Sequence, residues 1–347
     1  MFVVCCIPLL LSCNKAEELL PAKNLVTFKL MLPGDEEQDL LPVSRSGVEI
    51  GGTEDETGIR TLRFLIYNNT GAIEAYKCIE IRDDWTSPDA MWNVADKSLN
   101  MLVTVGEKKI YCIANWDITP TEEMPRIDET TAPTVAELLQ KVRVHRNVTP
   151  ANPPVMTGFI TEKIDNIKQN FKIQLKRQVA RVELSSKISE DLSLLGANVS
   201  ITGVMFANLP THAYVFPQTS LSSPTPNEVW DQTAFVGDTL ALTKDAAMYG
   251  TTYYIPEYAP GNKPAATVMI VRTNYNGKTV YYSVVLDPSV SKAHPHKAYV
   301  IERNHTYLYN LTLFGIGAAT NTARNAKTRV DDTQMNDTVI TYELEIK

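Results

Sequence analysis

The chain has 347 residues, of which 44% are hydrophobic, and a formal net charge of −7 at pH 7. This length accommodates two domains of ordinary size, each with its own core. The acidic charge argues against nucleic acid as a partner, because binding to phosphates requires a basic surface. The 20 Pro and 15 Tyr residues, beside alternating runs of Val, Ile and Thr, indicate a β-rich protein with many turns.

The first residues are typical of an export signal. An apolar run from Phe2 to Leu11 is too short to span a bilayer and has the length of a signal-peptide core. The stretch LLSC at 10–13 resembles the bacterial lipoprotein box, in which the Cys is lipidated and becomes the mature N-terminus. We therefore predict a lipoprotein signal peptide over 1–12 and lipidation of Cys13. An ordinary secretory signal with an incidental Cys is the alternative, and no Lys or Arg precedes the apolar run.

Two further cysteines lie within strand-like runs. Cys78 stands in EAYKCIEI and Cys112 in IYCIANW. In an exported protein the two could form a disulfide, and two free thiols are the alternative. No CxxC motif or Cys/His cluster occurs, so we predict no zinc site.

The first half reads as short strands separated by turns. NLVTFKLML (24–32) alternates, which places Val26, Phe28, Leu30 and Leu32 on one face. Two strand pairs are predicted next, the first at 58–81 around an Asn-Asn-Thr-Gly turn and the second at 99–116 around Gly106. A helix is predicted in TVAELLQKVRVH (134–145) and an edge strand in 152–164.

The second half follows a similar plan. We predict one long strand at 171–188, a strand–turn–strand at 197–217, a hairpin at 264–286 and a long strand at 304–317. Whether this half is a duplicate of the first stays open. The chain then ends in TVITYELEIK (338–347), in which alternate apolar residues predict a strand with one buried face: Ile340, Tyr342, Leu344 and Ile346. The pattern predicts an all-β protein of two sandwich domains.

Residues able to carry catalysis are not arranged together in the sequence. Of five histidines only His294 and His296 are close, and the intervening Pro295 suits a loop better than a ligand pair. The serine, zinc-protease and phosphate-loop motifs are absent, and the acidic stretch 330–337 lacks calcium-loop spacing. We therefore predict no enzyme activity, no metal and no cofactor.

Several phrases, in this order, resemble the fimbrillin family of Bacteroidales, the type V pilus subunits. They are the LLSC box, GIRTLRFLIYNNTGAIEAY, VGEKKIYCIAN, LKRQVARVEL, YYIPEYAP and IERNHTYLYNLTLFGIG. The resemblance covers nearly the whole chain. It implies two tandem transthyretin-like β-sandwich domains with few short helices, which we place at 24–168 and 169–347. It also implies export as a lipoprotein to the outer membrane and assembly with other subunits into a surface fimbria that supports adhesion.

In this family an Arg-specific protease removes an N-terminal segment that includes the first strand. Arg45 is the sole basic residue of the acidic, Gly-rich loop 33–56. The resemblance therefore implies cleavage between Arg45 and Ser46 and loss of the propeptide 13–45. An Arg that merely happens to lie in a loop is the alternative.

Removal of the first strand opens a groove that the C-terminal strand of the next subunit fills. The apolar residues of 338–347 have the same period as those of the first strand, so they fit the role of donor. The alternative is that this strand pairs within its own C-terminal domain. A second functional class also stays open, a non-polymerising tip or anchor adhesin that binds glycan or host protein through Trp85, Trp92 and Trp230.

Overall fold

The computed structural model describes residues 23–32, 58–81, 86–87, 90–116, 133–140, 142–144, 153–218, 229–230, 232, 234–260, 263–290, 297–319 and 340–346. Its elements in the first half are β1 Lys23–Met31, β2 Thr61–Asn68, β3 Ile73–Glu80, β4 Thr86–Ser87, β5 Ala90–Asn93, β6 Ser98–Thr104, β7 Gly106–Ala114, α1 Val135–Leu139, β8 Val142–Val144, β9 Met156–Ile164, β10 Gln169–Gln174 and β11 Lys176–Arg177.

The described elements of the second half comprise twelve strands and one α-helix, besides 3-10 helices. They are β12 Val179–Ile188, α2 Glu190–Leu194, β13 Val199–Ala207, β14 Leu209–Pro210, β15 His212–Tyr214, β16 Val229–Trp230, β17 Leu240–Ala241, β18 Ala247–Met248, β19 Tyr253–Pro256, β20 Val268–Tyr275, β21 Lys278–Val285, β22 Thr306–Leu313 and β23 Ile340–Ile346, with one-turn 3-10 helices of which the first is Lys263–Ala265.

The first half is a β-sandwich. Sheet 1 has the strand order β10-β1-β6-β5-β4 and sheet 2 the order β11-β9-β7-β2-β3. Their facing sides enclose one apolar core, to which sheet 1 contributes residues such as Phe28 and Trp92 and sheet 2 residues such as Phe64 and Ile110. The alternation of apolar residues along each strand produces this arrangement, because successive side chains point to opposite faces.

The second half is also a β-sandwich. Sheet 3 has the order β18-β12-β22-β23, with β19 also paired to β12, and sheet 4 the order β17-β13-β20-β21. Tyr307 and Tyr309 of sheet 3 and Tyr282 of sheet 4 are among the residues of its core. The predicted all-β class with two sandwich domains is confirmed.

Two predicted hairpins are present. β2 and β3 pair across Asn68–Gly71, and β20 and β21 pair across Asn276 and Gly277, whose φ angles are 49° and 82°. Positive φ at both central residues is the geometry of the tight hairpin turn that Asn-Gly favours.

Other predicted elements differ from the structure. β6 and β7 do not form a hairpin, because the chain crosses at Gly106 from sheet 1 to sheet 2. The helix ends at Leu139, and the predicted remainder includes β8, which pairs with β15 of the second half. The strand predicted at 171–188 is divided among β10, β11 and β12, which belong to three sheets. The sheets of the first domain therefore extend to Arg177, beyond the predicted boundary at 168.

The two domains are joined by a buried cluster of polar contacts. The Arg303 guanidinium, 5% exposed, lies 2.8 Å from the Glu257 carboxylate and also donates to the carbonyls of Tyr214 and Val215. Residues 215–216 pack on the outer face of sheet 2, where the ring of Phe216 lies 5.2 Å from that of Tyr111. The segment that carries these residues thus contacts both sandwiches.

Candidate functional site

The first strand lies inside sheet 1 and not at its edge. Residues 23–29 of β1 pair antiparallel with 98–104 of β6, and residues 26–31 pair parallel with 169–174 of β10. Both sides of β1 therefore take part in a hydrogen-bonded ladder. Without β1, strand β10 would be separated from β6, and a slot one strand wide would run through the sheet.

The inward face of β1 is completely buried. Val26, Phe28, Leu30 and Leu32 are at most 3% exposed. The Phe28 ring lies 5.6 Å from that of Phe64 on sheet 2 and 6.2 Å from that of Phe171 on β10. These are the four residues whose alternation the sequence placed on one face, and they fill the centre of the first core.

The outward face of β1 has polar contacts and exposed residues. The Thr27 hydroxyl lies 2.6 Å from the side-chain oxygen of Asn100, its register partner on β6. Leu25 is 46% exposed and stands opposite Leu102, which is 36% exposed. Removal of β1 would thus take away both buried and solvent-facing contacts.

The C-terminal strand occupies an edge. Within the described residues β23 pairs only with β22, in antiparallel register from Ile340 opposite Leu313 to Ile346 opposite Tyr307. Ile340, Tyr342, Leu344 and Ile346 stand opposite the four β22 residues that belong to the C-terminal core, Leu313, Leu311, Tyr309 and Tyr307. In the structure this strand therefore pairs within its own C-terminal domain, which is the alternative that the sequence left open.

The ends of the two strands define two poles of the chain. The N pole is the end of the first domain where β1 begins and where Gly106 pairs with Ile164. The C pole is the end of the second domain where β12 and β22 finish, at Ile188 and Leu313. The polar contacts that join the domains lie near the beginnings of β12 and β22, and therefore between the two poles.

A cleft of about 310 Å³ lies at the N pole between β1, β3 and β6. Its lining includes Lys23, Glu74 and Thr104. Glu74 accepts a hydrogen bond from Thr104 at 2.6 Å and lies 2.7 Å from the ammonium of Lys108, which is 3% exposed. The sequence did not indicate this cleft, because its residues come from three separate strands.

Other predicted site residues fall in different places. Cys13, Arg45, Ser46, His294 and His296 lie outside the described residues. Trp92 is 4% exposed and belongs to the first core, so the prediction that it contributes to an exposed sugar platform is wrong. Trp85 and the side chain of Trp230 are not among the described parts.

Neither Cys78 nor Cys112 forms a disulfide. Cys78 is exposed on β3, and Cys112 is buried on β7 with β2 between the two strands. Burial raises the pKa of the Cys112 thiol above its ordinary value, which keeps the thiol protonated and unreactive. The disulfide that the sequence left open is absent.

The described residues contain no group of three or more His, Cys, Asp and Glu side chains placed to hold a metal ion. Among the helices in that part of the chain, none has the length and apolar character needed to cross a membrane.

Part of the chain matches a known protein family. Residues 44–187 match the family model described as "Major fimbrial subunit protein (FimA)". The matched residues make up less than half of the chain. No curated protein matches the chain.

Solved structures share the fold of this chain. A fimbrilin (FimA) from Porphyromonas gingivalis is 13% identical with a TM-score of 0.56, over 93% of this chain and 96% of that one. The tip fimbrial protein Mfa3 of the same species, with a C-terminal truncation, is 14% identical with a TM-score of 0.51, over 94% and 99%. A candidate cell adhesion protein from Parabacteroides distasonis is 16% identical with a TM-score of 0.61, over 94% and 97%.

Proposed function

We propose that this chain is a fimbrillin, a structural subunit of a cell-surface fimbria that supports adhesion. It is exported as a lipoprotein acylated at Cys13, is cleaved after Arg45 by an Arg-specific protease, and polymerises by donor-strand exchange. One observation carries the proposal: β1 lies between two strands of sheet 1, whereas β23 lies at an edge of sheet 3.

The acceptor half of the exchange follows from the position of β1. Loss of β1 and the adjoining Leu32 removes four buried side chains, each worth about 1.5–3 kcal/mol of burial free energy. It also leaves unpaired backbone groups on the facing edges of β6 and β10. A cleaved subunit that has lost its first segment is therefore unstable until another strand enters the slot.

The donor half follows from the position of β23. In its own domain this strand forms backbone hydrogen bonds along one side, with β22. In the slot left by β1 it would form them along both sides, with β6 and with β10. An edge strand leaves its sheet without dividing it, since β22 is its only partner among the described strands of the sheet. The exchange thus replaces one set of backbone hydrogen bonds with two.

The spacing of apolar residues gives a register. A donor that enters at the N pole and runs in the direction of β1 places Ile340, Tyr342, Leu344 and Ile346 at the positions of Val26, Phe28, Leu30 and Leu32. In this register Thr341 takes the place of Thr27 and stands opposite Asn100 of β6. Donor and acceptor are different surfaces of one chain, so the contact is head-to-tail and generates an open filament.

Proteolysis of the purified precursor tests the proposal. Treatment with an Arg-specific protease is expected to cleave after Arg45 and to yield SDS-resistant oligomers, seen by electrophoresis and electron microscopy. An Arg45→Ala variant is expected to remain monomeric, and a chain that lacks 338–347 to be cleaved without polymerising. Cleavage that yields only monomers from the full chain would contradict the proposal.

A further inference from the structure

Two connections form the cap of the second domain at the C pole. α2 and the turn after it lead from β12 of sheet 3 to β13 of sheet 4. Residues 314–318 lead from the end of β22 towards sheet 4, where Ala318 forms a bridge with Tyr281 of β21. Both connections therefore cross from one sheet to the other at the same end of the sandwich.

Each connection exposes two large apolar side chains. Leu194 and Leu195 are both 80% exposed, Phe314 is 44% exposed and Ile316 is 62% exposed. We call these four residues the C-pole patch. Single exposed apolar residues are ordinary on protein surfaces, but a group of four at one end of a domain is typical of an interaction site.

The backbone of the C-pole patch is fixed by hydrogen bonds. Gly196, with φ +69°, ends α2, and its amide donates to the Ser193 carbonyl at 3.0 Å. The Tyr282 hydroxyl donates to the Gly315 carbonyl at 2.6 Å, and Ala318 exchanges two backbone bonds with Tyr281. The patch is thus presented on anchored backbone, which lowers the entropy cost of docking a partner.

The course of the chain points to the partner. The described chain leaves at Ala319 and returns at Ile340, and both positions lie at the C pole. The intervening residues 320–339 are polar, with Val330, Met335 and Val339 as their large apolar residues. This segment suits a tether for β23 better than a cover for the patch. A donor strand transferred from this pole brings the receiving subunit against the patch.

We propose that the C-pole patch docks on the N pole of the next copy of this chain. This inference rests on the proposed donor-strand exchange. The receiving surface contains Ile167, 66% exposed in the turn between β9 and β10, and Leu102 beside the slot. Two different apolar surfaces of one chain meet, as a head-to-tail filament requires. The contact forms before the strand transfer and holds the donor at the mouth of the slot.

The test compares rates of polymerisation after cleavage at Arg45, measured by light scattering. The variants are Leu194→Lys/Leu195→Lys at the C pole and Ile167→Lys at the N pole. Val236→Lys is the matched control, since Val236 is 49% exposed and bridges Val204, five residues along β13 from its C-pole start at Val199. We expect each pole variant to polymerise about tenfold more slowly than the wild type, because a lysine opposes burial in an apolar contact. The control should keep the wild-type rate.

Two further measurements separate the possible outcomes. A synthetic peptide of residues 338–347 should bind all cleaved variants equally, because peptide binding requires the slot and not the poles. Equal polymerisation rates for the pole variants and the control would overturn the docking. Faster trypsin cleavage at Arg324 in the uncleaved C-pole variant would also overturn it, because this result would mean that residues 320–339 cover the C-pole patch. If the cleaved wild type neither binds the peptide nor polymerises, the donor-strand proposal fails first and the docking falls with it.

Discussion

The ring of Phe28 on β1 lies 5.6 Å from the ring of Phe64 on β2, so the two strands share one core. Arg45, the predicted cleavage site, falls between these two residues in the sequence. The first domain of the precursor is therefore complete only while residues on both sides of that site stay together. Proteolysis would convert a stable domain into one that requires a strand from elsewhere.

The first prediction concerns the stability of the precursor. Phe28→Ala should lower the free energy of unfolding by about 3–5 kcal/mol, because it leaves a cavity between Phe64 and Phe171. Leu25→Ala, on the same strand but 46% exposed, should change it by less than about 1 kcal/mol. Urea unfolding followed by circular dichroism measures both. Equal losses for the two variants would mean that β1 does not fill the core.

The second prediction concerns the donor strand. Leu344→Lys should abolish polymerisation of the cleaved chain, because a lysine at this register position would enter the buried slot. Glu343→Lys, on the alternate face of the same strand, should polymerise like the wild type. Electron microscopy and SDS electrophoresis after cleavage distinguish the two variants. Filaments from Leu344→Lys would place the apolar face of 338–347 outside the neighbouring core.

The third prediction concerns the junction of the two domains. Arg303→Met should destabilise the chain by about 3–5 kcal/mol, because it leaves the buried Glu257 carboxylate without its cation. Lys163→Met is the control, since its ion pair with Asp165 is exposed to solvent and contributes little. Thermal unfolding of both variants measures the difference. A small effect at Arg303 would show that the carboxylate is stabilised by other means.

The fourth prediction concerns alkaline pH. Burial raises the pKa of Tyr282 to about 12, while an unfolded tyrosine titrates near 10. The folded state holds this proton more tightly, so its contribution to stability is complete below about pH 10 and is lost as the pH rises to about 12. Tyr282→Phe should therefore lose stability less steeply over this range. An unchanged slope would contradict the buried, protonated state of this hydroxyl.

The sequence was most informative where local chemistry decides the structure. The Asn-Gly turn at 276–277 and the alternation in 24–32 depend on neighbouring residues, and both gave the observed elements. The strand pair around Gly106 was wrong because a turn between two sheets and a turn within one sheet require similar residues. The helix was predicted too long because Val142–Val144 pairs with a strand seventy residues away.

The sequence likewise predicted some features of the candidate site and missed others. The four buried residues of β1 were visible as a periodic pattern, but their position between β6 and β10 was not, since it depends on pairings with strands far along the chain. The same holds for the edge position of β23. A pattern indicates that a strand has one buried face, and only the folded chain shows how many neighbours that strand has.

A reversible lock on the C-terminal strand tests the central claim most directly. Thr341 stands opposite Thr312 in the pairing of β23 with β22, at a separation typical of disulfide-bonded residues. A Thr341→Cys/Thr312→Cys chain, with Cys78→Ser to remove the exposed thiol, should be cleaved after Arg45 when oxidised yet remain monomeric. Addition of a reductant should release β23 and start polymerisation. Filaments formed equally by the oxidised and reduced chains would contradict donor-strand exchange by β23.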